Sequence, residues 1–166
     1  MRAVAVTGAG ARISLTRIRN SLIAGLCGAS VHSLLVLVHG KSGPLPEFNP
    51  NDDIQRGLSW LTGTEMHPGV AWLLVFVNGA MIWGFVFGQA YRFLPGKKPW
   101  RKGVFFGVCA WIAMGLVFFP LVDRGIFAVK LGLGMAPAIL LLVMLLAYSV
   151  TMSLVYHLLN SWSDPV

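Results

Sequence analysis

The sequence predicts an all-α integral membrane protein with four transmembrane helices, arranged as two tandem helix-pair repeats with a short interfacial helix in the first outer loop. Three observations predict this. Charged residues are only 11% of the 166, against roughly a quarter in a soluble domain. Four stretches carry no charge, between Arg19 and Lys41, Glu65 and Arg92, Lys102 and Asp123, and Lys130 and Asp164. Each is long enough for a helix to cross the hydrocarbon core, which takes ~20 apolar residues. Lastly, the cations gather at alternate ends of these stretches.

Helices are the only form such runs can take. Lipid offers backbone groups no partner, and barrel strands would be short and alternating. Spans are expected at about 20–40, 67–91, 103–122 and 133–159, within a membrane domain of 19–160. A basic lead (1–18) precedes them and a short tail (161–166) follows, both cytoplasmic. Arg17 and Arg19 stand before the first span; Arg92, Lys97, Lys98, Arg101 and Lys102 fill the turn between the second and third. Under the positive-inside rule these ends face the cytoplasm. The acids Glu47, Asp52, Asp53, Glu65 and Asp123 fall in the opposite loops. The topology is N-in, C-in, in a bacterial inner membrane, and the net charge of +7 is matched to lipid headgroups rather than to nucleic acid.

Within the lead, Val4-Ala5-Val6-Thr7-Gly8-Ala9-Gly10 imitates the start of a dinucleotide fingerprint, but the strand–helix–strand context that motif needs is missing. The first outer loop opens on Pro44, Pro46 and Pro50. Asn51-Asp52-Asp53 then offers a helix start, and Ile54, Leu58 and Leu61 recur on one face beside Trp60. Cys27 and Cys109 fall inside spans without metal-ligand spacing and read as packing residues.

The two halves repeat. Arg19 and Gly25-Leu26-Cys27 have the spacing of Arg101 and Gly107-Val108-Cys109. Met66-His67-Pro68 opens the second span as Met135-Ala136-Pro137 opens the fourth, and Val86-Phe87 corresponds to Val155-Tyr156. Two spans per unit give both halves one orientation, related by an axis along the membrane normal. Both prolines fall in a first helical turn, where a missing N–H costs nothing. Gly25, Gly28, Gly84, Gly88, Gly103 and Gly107 are the candidate packing positions, since small residues let helix backbones approach.

Leu45-Pro46-Glu47-Phe48, Gly84 with Phe87 and Gly88, Leu94-Pro95-Gly96, Gly107 before Trp111, Phe119-Pro120-Leu121, and Gly125 with Phe127 together resemble a group of uncharacterised four-span bacterial inner-membrane proteins, the YagU-like group. The resemblance covers most of residues 20–160 and implies a fold but no reaction.

Reactive chemistry is sparse. No acid lies inside a span, which disfavours a coupled pump. No nucleophile–base pair, zinc spacing or phosphate loop appears, so the protein is expected not to be an enzyme and to carry no cofactor. His39 and His67 are the one histidine pair at matching depth for a haem or quinone. His32 with Asn78, and His157 with Gln89, are expected to bond across helices, as are Ser149 and Ser153 along the fourth span. Three functions remain, in this order: a non-catalytic accessory subunit of a respiratory or photosynthetic inner-membrane complex, docking through glycine-rich and aromatic faces; a small passive transporter or channel working as an oligomer; and a haem- or quinone-binding membrane protein. The expected partners are the bilayer and other membrane proteins, or further copies of the chain.

Overall fold

The structure, a computed structural model, describes residues 15–42, 50–65 and 67–163. The lead through Ile13 and Ser14, the Pro44 to Phe48 stretch, Met66 and the last three residues lie outside the described residues. Four helical spans result. Span 1 is α1 (Leu15–Ser42), and α2 (Pro50–Thr62) follows it. Span 2 is α3 (Pro68–Val77), a π-helical turn (Asn78–Trp83) and α4 (Gly84–Ala90). Span 3 is α5 (Pro99–Ala113), a second π turn (Met114–Phe118) and α6 (Phe119–Leu121). Span 4 is α7 (Ala136–Ser163). The described residues contain no strand. Each span is long and apolar enough to cross a membrane, with mean hydropathy between 1.6 and 2.4.

Spans 1 and 3 begin ahead of their uncharged gaps, whereas spans 2 and 4 stay within theirs, because caps rather than charges fix the ends. Pro99 begins α5 ahead of Arg101 and Lys102, with Lys98 at the N-cap in extended backbone. Pro68 begins α3, where the His67 side chain accepts a hydrogen bond from the Gly69 N–H. α2 has the amphipathic pattern expected of it: Ile54 and Leu58 are half-buried, while Trp60 and Leu61 are exposed.

Each half has one close helix crossing built on small residues. In the first half, a Cβ on Gly25 would overlap the Ala80 carbonyl oxygen and stand 2.9 Å from Gly84 Cα. In the second, a Cβ on Gly103 would stand 2.7 Å from the Ser149 carbonyl oxygen and 3.0 Å from Ser153 Cβ. Under the sequence repeat, Gly107 stands where Gly25 does, Gly103 where Ser21 does, Ser149 where Ala80 does and Ser153 where Gly84 does. The second crossing is thus built on the equivalents of Ala80 and Gly84, but one helical turn along span 3 from the equivalent of Gly25. Span 1 also lies along span 4, with Gly28 against Tyr148.

Where the two pairs meet, aromatic side chains fill the half of the bundle nearer the basic turn. Phe87 has no exposed surface. It packs edge-on against Phe106 at 5.0 Å, Tyr91 at 5.4 Å and Tyr156 at 5.9 Å between ring centroids. Such T-shaped contacts set the positive edge of one ring on the negative face of the next. Phe87 and Tyr156 are equivalents under the repeat, as two side chains beside a two-fold axis would be.

The cations gather at one end, called here the basic end. Arg17 and Arg19 project from the first turns of α1 and are exposed. Lys102 donates to the Tyr91 carbonyl at 2.7 Å, so a cation completes the C-terminus of span 2. Arg92 lies over the Phe93 ring and Arg101 over Trp100, while Lys97 is exposed in the turn. Asn20 and Asn160 bond side chain to side chain at 3.1 Å, which places the start of span 1 beside the end of span 4.

The connection between spans 3 and 4 folds back on itself at the far end. Asp123, Phe127 and Ala128 take positive φ, which non-glycine residues adopt at a cost, as do Gly125, Gly132 and Gly134. The reversal carries the Phe127 ring onto Gly115, within the second π turn, at a point where any Cβ would overlap it. Lys130 pairs with exposed Asp123 and holds its carboxyl pKa below the ordinary value through a hydrogen bond and charge attraction.

Candidate functional site

A cavity of about 200 Å³ occupies the half of the bundle away from the basic end. All four spans contribute to its wall, through Ala29 and His32, Phe76 and Asn78, Ala110 and Met114, and Leu141 and Tyr148. Ile54 of α2 adds to the lining at the far end. A Cβ on Gly57, one turn along, would stand 3.0 Å from Val122 at the end of span 3, so α2 reaches across the mouth. Towards the basic end, Trp83 packs edge-on against Phe106 at 6.0 Å and joins the aromatic cluster below.

Both π turns border this cavity, the first through Asn78, Gly79 and Trp83 and the second through Met114 and Phe118. A π turn inserts a residue into the helix and disturbs the regular ladder of carbonyl bonds, and such turns recur at functional sites. Here one is braced from span 4. The Tyr148 hydroxyl donates to the Gly79 carbonyl at 2.6 Å. Tyr148→Phe should keep the ring and its edge contact with His32, at 6.3 Å between centroids, while removing this bond. Because interhelical hydrogen bonds in membranes average about 0.6 kcal/mol, with a maximum near 1.7, we expect a loss of about 1 kcal/mol, read as a lower unfolding midpoint in detergent.

His32 and Asn78 do reach one site, as walls of the same cavity, but no hydrogen bond joins them. The His32 Nδ1 is buried without a partner, and an unpaired buried polar atom costs about 1–3 kcal/mol. Gln89 and His157 are both exposed, with no hydrogen bond between them. Ser153 donates instead to the Pro99 carbonyl at 2.6 Å, tying span 4 to the start of span 3. The buried Ser149 hydroxyl has no partner. His39 is buried on span 1, and His67 caps α3 from an exposed position with its Nδ1. Among the described residues, no group of three or more His, Cys, Asp or Glu is placed to hold a metal ion.

The sequence did not single out Tyr148, and it gave Trp111, Phe87 and Tyr156 as motif and repeat positions without their partners. Trp111 donates through Nε1 to the Ala138 carbonyl at 2.8 Å, joining span 3 to the first turn of span 4. A tyrosine at mid-span was the available signal, because its hydroxyl requires a partner inside lipid.

Four apolar helices, paired, capped at one end by cations and hollow at the other, define a multi-pass membrane protein with an internal cavity. The chain belongs to a family of unknown function, DUF6789, which it matches over residues 15–165. No curated protein and no solved structure matches it.

Proposed function

We propose that the protein is a non-catalytic accessory subunit of a larger inner-membrane assembly, of the respiratory or photosynthetic kind, in a bacterium. The observation that supports this reading is the aromatic cluster around Phe87, which fills the basic half of the bundle. Tyr148, Trp111, Ser153 and Asn20 all bond between helices, so these polar groups are committed within the bundle. Transport through a single copy is thereby disfavoured, and the outer surface becomes the working surface.

Gly25, Gly84, Gly103 and Gly107 all face other helices of the same chain. Docking therefore falls to aromatic and aliphatic faces, of which span 2 offers the least enclosed. Met81, Ile82, Phe85 and Val86 are exposed on it, around the end of the π turn. The clustered arginines and lysines support an orientation with the basic end and both termini in the cytoplasm. Kinship with the YagU-like group belongs to the same reading and rests on motifs such as Leu94-Pro95-Gly96 and Phe119-Pro120-Leu121.

Affinity purification of the tagged chain from native membranes in mild detergent tests the proposal. We expect companion membrane proteins in fixed proportion. Recovery of the chain as a bare monomer would remove the basis for an accessory role, and a homo-oligomer around a polar axis would favour the channel instead.

A further inference from the structure

We propose that the cavity binds a membrane-dissolved molecule with one ring-sized polar head, of the quinone or quinol class, whose apolar tail lies in the surrounding lipid. This does not depend on a partner chain.

Size limits the occupant. A cavity of about 150 Å³ accepts a benzene ring, so about 200 Å³ suits one substituted ring and is too small for a macrocycle. The shape of the wall suits a flat head. Phe76, Trp83, Phe118 and Tyr148 supply aromatic faces and edges, against which a planar ring stacks offset or edge-on.

The polar content decides between a ringed head and a plain acyl chain. An acyl chain would be served by an apolar wall alone, yet the His32 imidazole and the Ser33 side chain line this cavity. Asn78, which carries both donors and an acceptor, lines it too. A quinone carbonyl accepts from an imidazole or amide N–H, and a quinol hydroxyl donates to the unprotonated imidazole nitrogen. Either gives the polar groups of the wall a partner that an acyl chain does not offer. The Tyr148 hydroxyl donates to Gly79, so its acceptor lone pairs stay available.

Entry is from the side. The Trp83, Phe87 and Phe106 rings close the basic half and are where spans 2 and 3 meet, while α2 reaches across the far end from Ile54 to the neighbourhood of Val122. The seam between spans 2 and 3, beside both π turns, is left for the tail.

The test uses the intact chain in detergent, titrated with a decyl-substituted benzoquinone and read by tryptophan quenching and by the unfolding midpoint. We expect saturable quenching and a raised midpoint. His32→Leu should weaken binding about tenfold without lowering the midpoint of the unliganded protein, with His32→Gln restoring part of the affinity. Ile54→Trp, on the peripheral α2, should fill part of the far end of the cavity and weaken binding at least fivefold, and it decides the matter if His32→Leu does not fold. Decanol, which has the tail and no ring, should neither raise the midpoint nor compete. Non-saturable quenching, unchanged affinity in folded His32→Leu or in Ile54→Trp, or competition by decanol at equal concentration overturns the proposal. The last result would mark the cavity as a groove for ordinary acyl chains.

Discussion

Gly25→Ala should cost more stability than any other single methyl added to a span. The new Cβ would overlap the Ala80 carbonyl oxygen and press on Gly84 Cα. Both are backbone atoms, which no rotamer change can move aside. Overpacking a core typically costs 1–3 kcal/mol when side chains can shift, so a collision with backbone should reach at least about 3 kcal/mol. The crossing in the second half makes a second prediction from the same cause: Gly103→Ala, pressed against the Ser149 carbonyl oxygen and Val150 Cα, should be nearly as damaging. Gly40 is the internal control. It lies in the same helix as Gly25, with nothing within 4 Å of an added Cβ, so Gly40→Ala should be neutral or slightly stabilising through helix propensity. Unfolding midpoints of the three variants in one detergent check the order.

Phe87→Ala should follow closely. The ring is wholly buried among Tyr91, Phe106 and Tyr156. In a soluble core the loss would combine transfer and cavity terms, but lipid is as apolar as the bundle, so the transfer term shrinks. The cavity term remains: roughly 100 Å³ of side chain at about 24 cal/mol per Å³ gives about 2.5 kcal/mol. By the scaling for chains of this length, that is a fall of roughly 5–10 °C in the unfolding midpoint. Phe87→Tyr, matching Tyr156 across the repeat, should be much milder if its hydroxyl finds a partner.

What the sequence disclosed follows from how each property is encoded. Span number and which span ends lie together are written in long averages, the uncharged gaps and the basic clusters, which survive any local deviation. Crossing points are written in Gly25, Gly84, Gly103 and Gly107, because only a missing side chain permits such approach. Partner choice within the bundle depends instead on helix rotation, and the π turns at Asn78–Trp83 and Met114–Phe118 alter it part-way along spans 2 and 3. Periodic spacing therefore places Asn78 and Gln89 on one face; both are exposed in the structure, and of the two Asn78 borders the cavity. Nothing in residue type announces a π turn. The reversal that lays Phe127 over Gly115 was equally hidden, since it rests on positive φ at Asp123, Phe127 and Ala128, where only the glycines around them hinted at unusual backbone.

The account rests above all on four crossings with the basic ends together. Cysteine accessibility in sealed membrane vesicles tests that most directly, in a Cys27→Ser, Cys109→Ser background. Lys97→Cys and Ser161→Cys should react with an impermeant maleimide from one side, and Thr62→Cys and Lys130→Cys only from the other. Labelling of Lys97→Cys and Lys130→Cys from the same side would contradict the four-span bundle.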